Sequence, residues 1–89
     1  MVEKEVVVLN KNGIHARPSA MIVEESSKFA STITLINNGI ESNAKSIMGI
    51  LTLSAVSGSH IIVRCEGEDE EAALATIAGL FDDRFGQED

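Results

Sequence analysis

The sequence predicts an α+β open-faced sandwich. A four-stranded antiparallel sheet is covered on one face by three helices, in the order β-α-β-β-α-β-α. Three observations predict it. Four segments are β-branched and apolar or alternate in polarity, with Gly or Asn near their ends. Three others carry a capping residue or apolar residues at helical spacing. The length, 89 residues, fits one domain with a thin two-layer core, so residues 1–89 are read as a single unit. A sheet covered on one face needs only one buried side per strand, which suits so small a core.

Val6-Val7-Val8-Leu9 reads as the first strand, and Asn10-Lys11-Asn12-Gly13 as the turn after it. From Ala16 to about Phe29 the residues favour a helix. Pro18 fits there because the backbone N–H groups of a first turn have no intrahelical partners. Thr32 to Ile36 is the second strand, with Ile33 and Leu35 on one face. Asn37-Asn38-Gly39 predicts a hairpin into Ile40–Asn43, because Asn-Gly accepts the positive φ that both turn positions need. Ser46 caps a short helix running to about Leu53. His60 to Cys65 is the fourth strand, with Ile61, Val63 and Cys65 alternating against Ile62 and Arg64. Gly67 ends it, and Asp69, Glu70 and Glu71 open the last helix, where acids suit the positive dipole end. Leu74, Ile77, Ala78, Phe81 and Phe85 are expected along its buried face.

Composition narrows the function. The net charge of −7 argues against a nucleic-acid partner. Residues 1–65 carry five acids against six bases, whereas residues 66–89 carry nine acids against Arg84 alone. Anion chemistry therefore belongs in the first two-thirds. No apolar run is long enough for a membrane span, so no insertion is expected. Charges at Glu3, Lys4 and Glu5 ahead of a four-residue apolar run do not look like a secretory leader. A lone cysteine, Cys65, excludes an internal disulfide and a multi-cysteine metal site; it fits the core and a cytoplasmic setting. No metal or cofactor is expected, and His60 is given a structural or surface role.

The chemistry concentrates in Gly13-Ile14-His15-Ala16-Arg17-Pro18-Ser19. A strand ends, a glycine turn follows, and His15 stands at the threshold of a helix. The Ala16 and Arg17 N–H groups leave that helix end unpaired, which makes it ready for an anion. Arg17 adds a planar donor fork suited to phosphate. An imidazole held there can act as a nucleophile. The plainer alternative is a histidine that only caps a helix.

A second segment is Lys45-Ser46-Ile47-Met48-Gly49. Ser46 is either a plain cap or a phosphorylation site. A phosphate there would sit at the favourable dipole end and add roughly −1.5 to −2 charges. Ile47, Met48 and Leu51 form either a core stripe or a docking surface. The docking reading makes Met48 exposed and Ile50 core, because a flexible Met suits several partners.

Together these segments resemble the HPr family, the histidine phosphocarriers of the bacterial sugar phosphotransferase system. Gly13–Pro18 looks like the family's phosphorylation signature and Lys45–Gly49 like its regulatory serine motif; Gly67–Ala72 is similar to the opening of its last helix. The resemblance covers essentially the whole chain and implies an HPr-like fold. It implies that enzyme I, charged by phosphoenolpyruvate, phosphorylates His15 on Nδ1, and that IIA domains of sugar permeases then receive the group. Arg17 would pair with the phosphoryl group. Ser46 would be the target of an HPr kinase/phosphorylase, with a transcriptional regulator as a further partner. Ile47, Met48 and Leu51 would dock on enzyme I and IIA. The resemblance implies a carrier rather than an enzyme, acting as a monomer.

Two departures stand out. Ser19 occupies a position where alanine is common, and little effect is expected. Glu24 and Glu25 stand where some members carry lysine, leaving Lys28, Lys45 and Arg17 to attract acidic partners. Weaker electrostatic steering follows. Three rival readings compete. A nitrogen-related phosphocarrier branch shares the histidine segment but feeds a regulatory IIA protein; Leu80–Gly86 has some of its flavour, while Lys45–Gly49 favours the sugar branch. A purely regulatory relative would replace His15, which is present. A metal- or metabolite-binding module lacks clustered ligands.

Overall fold

Residues 1–86 are described in a computed structural model of the chain. Strands β1 (Val2–Val7), β2 (Thr32–Asn37), β3 (Ile40–Asn43) and β4 (His60–Glu66) form one sheet. Its order is β1-β4-β2-β3, and every neighbouring pair is antiparallel. Helices α1 (Ala16–Ser26), α2 (Ile47–Thr52) and α3 (Glu70–Asp82) complete the expected order. A short 3-10 turn, Arg84–Gly86, follows α3.

The pleat decides which side chains are buried. Val6, Ile33, Leu35, Ile61, Val63 and Cys65 face the helices and join one core with Ile22, Ile50, Ile77 and Phe81. The opposite face stays open. Its central residue is Arg64, which sits opposite Glu3 on β1 and Thr34 on β2. The Arg64 guanidinium pairs with Glu3 and reaches Glu41 on β3 at 3.7 Å. His60 on the same face is exposed and lies 3.1 Å from Glu5, a surface role as expected.

The hairpin between β2 and β3 turns through Asn38 (φ 53°) and Gly39 (φ 79°), the paired positive dihedrals that Asn-Gly favours. Cys65 is fully buried, and desolvation pushes its thiol pKa up.

Two expectations need correction. Leu9 lies outside β1 and is exposed; the strand begins at Val2, and only Val6 and Val8 of the apolar run turn inward to the core. Phe85 is buried but does not lie on α3. The helix ends at Asp82, and the chain reverses through left-handed dihedrals at Arg84 (φ 54°) and Phe85 (φ 55°). That reversal brings Phe85 edge-on to Phe81, with ring centroids 5.0 Å apart. An aromatic pair of this kind contributes about 0.5–1.5 kcal/mol beyond its buried area, and together with burial of the Phe85 ring it holds left-handed backbone at two non-glycine residues.

Candidate functional site

The site begins at the end of β1. Val8 accepts from Gly58 N at 2.8 Å and donates to Ser59 O at 2.9 Å, so the chain leaves the sheet tied to the loop before β4. Asn10 is fully buried, and its side-chain amide donates to Gly13 O, closing the turn that Gly13 N also closes onto Asn10 O. Gly13 has φ +69°, and a Cβ there would lie 2.5 Å from Ala55 O. Ile14 then donates to Ala55 O at 2.9 Å and buries its side chain. His15 is therefore delivered by a turn fixed on both sides.

His15 is the N-cap of α1, with extended dihedrals (φ −103°, ψ −164°), and its ring makes no capping hydrogen bond to the helix. The ring is half-buried, while Ala16 and Arg17 are exposed. The first intrahelical bond of the turn is Ser19 N to His15 O, at 3.0 Å. Pro18 has no N–H. The backbone donors left at this helix end are thus the Ala16 and Arg17 N–H groups. No acidic residue stands in the first turn to occupy them. Arg17 pairs with no described acid. An imidazole, two amide donors and a guanidinium at one helix end suit transient bonding to a phosphoryl group.

Ser46 is the N-cap of α2, and its side chain accepts from Gly49 N at 3.1 Å. The structure therefore bears out the cap. Met48 is 71% exposed and Ile50 is fully buried. Ile47 and Leu51 are also exposed, and α2 packs against α1, whose N-cap is His15. Val56, 67% exposed, touches the Gly13 turn and was not singled out from the sequence, where it reads as part of a loop.

The cations redistribute. Lys45 donates its amine to Phe29 O at 2.8 Å, and Lys28 pairs with Glu25 at 2.8 Å, which raises the Lys28 pKa. The three cations expected to attract acidic partners are not equally available, and Arg17 is the one left unengaged. Among the described residues no cluster of His, Cys, Asp and Glu could hold a metal, and no helix is long and apolar enough to cross a membrane.

An α+β domain that holds a histidine and two free amide donors at an open helix end is a scaffold suited to binding an anion. Residues 2–83 match the family model for the "PTS HPr component phosphorylation site". The phosphocarrier protein HPr of Treponema pallidum (strain Nichols) is 49% identical, over 99% of this chain and 100% of the relative. That of Xylella fastidiosa (strain 9a5c) is 48% identical over 99% of both chains. A crystal structure of HPr-C-His from Thermoanaerobacter tengcongensis superposes with a TM-score of 0.95 at 41% identity, covering 99% of each chain. The chain belongs to the HPr family of phosphocarrier proteins of the phosphotransferase system. Members of this family carry phosphoryl groups rather than turn over a substrate.

Proposed function

We propose that His15 accepts a phosphoryl group from enzyme I, charged by phosphoenolpyruvate, and passes it to IIA domains of sugar permeases. An imidazole nitrogen of His15 attacks phosphorus; the new N–P bond forms as the bond to enzyme I breaks, and enzyme I keeps that electron pair. Transfer to IIA repeats the exchange with His15 as the leaving group. Arg17 and the Ala16 and Arg17 N–H groups bond the phosphoryl oxygens. They stabilise the group enough to receive it, and the exposed helix end leaves it accessible to the next acceptor. Ile47, Met48 and Leu51 form the docking surface. Phosphorylation of Ser46 by an HPr kinase/phosphorylase would place charge at the N-terminus of α2, beside that surface, and a transcriptional regulator would read the modified form. The protein acts in the cytoplasm as a monomer, without a cofactor.

The observation that carries this reading is the placement of His15: an N-cap whose ring is not spent on capping, next to two amide donors. Its test is incubation with phosphoenolpyruvate, magnesium and the host's own enzyme I, followed by intact mass. One phosphoryl group is expected, labile in mild acid and missing from His15→Ala. No addition to the wild type overturns the reading. The nitrogen-related alternative keeps the chemistry and changes the acceptor. Ser46 in the intact Lys45–Gly49 segment favours the sugar branch, and binding to the two kinds of IIA protein separates them.

A further inference from the structure

Ser19 is fully buried in the first turn of α1, and its hydroxyl donates to the His15 carbonyl at 2.8 Å. The same carbonyl accepts from Ser19 N at 3.0 Å. Both lone pairs of one oxygen are therefore taken by one residue. Back-bonding of this kind is a common way to satisfy a buried serine. It is not forced on this helix: Ser26, seven residues on and also buried, has no hydrogen-bond partner for its hydroxyl among the described residues.

The consequence lies across the peptide bond. The His15 carbonyl and the Ala16 N–H belong to one planar, conjugated unit. A hydrogen bond donated to the oxygen draws electron density from the nitrogen and strengthens the N–H as a donor. Because Pro18 offers no N–H, Ala16 supplies one of only two backbone donors at the site. The Arg17 N–H belongs to the next unit, whose carbonyl Ser19 does not reach.

We infer that Ser19 is a positioning residue for the phosphoryl chemistry of His15: its hydroxyl fixes and polarises the His15–Ala16 peptide and so strengthens the Ala16 N–H bond to the phosphoryl group. This rests on the reading of His15 as the phosphoryl acceptor. It replaces the expectation that serine in place of alanine has little effect.

The test compares amide NMR spectra of wild type, Ser19→Ala and Ser19→Thr before and after phosphorylation by the host's enzyme I. It also follows loss of the group to water at neutral pH. In that reaction water attacks phosphorus, the N–P bond breaks, orthophosphate leaves and the ring nitrogen takes up a proton. In Ser19→Ala the downfield shift of the Ala16 amide on phosphorylation should shrink by about 10–30%, and hydrolysis should quicken about twofold. The Arg17 shift should not change, and Ser19→Thr, which keeps the hydroxyl, should behave as wild type. An Ala16 response in Ser19→Ala equal to that of wild type overturns the inference, whatever the melting temperature does. Failure of the wild type itself to accept the group overturns the carrier reading instead.

Discussion

The Asp69 carboxylate accepts from Ala30 N and Ser31 N, each at 2.9 Å, and from the Ser31 hydroxyl. Its place in the sequence puts this acid at the opening of α3, where it is the N-cap residue, but its side chain makes no cap there. It crosses instead to the loop between α1 and β2, which no local pattern reveals. The Ser31 hydroxyl, then the Ala30 N–H, hold its pKa below the ordinary carboxylate range. Glu70 is lowered as well, first by Gly67 N and then by the amino terminus. A folded-state pKa below the unfolded value gives stability that is complete above the unfolded range, near ~4. It is lost as pH falls through the lowered folded value. Asp69→Asn should therefore melt lower than wild type at pH 7 and lose less of its remaining stability between pH 6 and pH 3. Glu70 keeps part of that acid limb in both proteins. Thermal melts across the range check this, and parallel curves for the two proteins would reject it.

The six residues of α2 are too few to hold a helix by propensity, so its caps and its packing carry it. Ser46 satisfies Gly49 N at one end, and buried Ile50 anchors the middle. Ser46→Ala should lower stability by about 0.5–2 kcal/mol. Denaturant unfolding measures it, and a midpoint equal to that of wild type would mean the cap contributes nothing. Elements of this kind were legible because their signals are local. A capping serine, an Asn-Gly turn and the alternation along β4 each state their own conformation. The end of α3 was not legible. Phe81 and Phe85 stand four apart, the spacing of a helical face, and the sequence does not distinguish that from a left-handed reversal that buries the same ring. Core membership was right and the element wrong, because periodicity reports which residues are apolar neighbours and not the backbone path between them. The site was legible for the same reason as α2: His15, Arg17 and Pro18 lie together in one turn. The Ser19 hydroxyl was not, since a serine within a helix has no fixed partner until packing buries it.

Across the whole molecule, charge and apolar surface divide the work of recognition unequally. The acidic third of the chain falls on the end of β4, on α3 and beyond, away in sequence from His15. At the opposite end of α1 from His15, Lys28 is paired with Glu25 and Lys45 is held on the Phe29 carbonyl, so neither adds its charge to the Arg17 end of the helix. Exposed apolar side chains are plentiful there by comparison: Ile47, Met48 and Leu51 on α2, and Val56 beside the Gly13 turn. Electrostatic steering falls steeply with salt, whereas apolar burial does not. The second-order rate of phosphoryl transfer from enzyme I should therefore change by less than about threefold between 50 and 500 mM salt, on the order of a weakly steered encounter. Met48→Glu should cost about tenfold in the same rate, as expected for an apolar anchor at an interface centre. Its stability should move by no more than about 0.5 kcal/mol, because the side chain is exposed. Stopped-flow or quench-flow transfer at several salt concentrations, run on both proteins, gives all of these quantities. A rate that collapses with salt while Met48→Glu transfers normally would shift recognition from the α2 surface to Arg17 and its neighbouring charges.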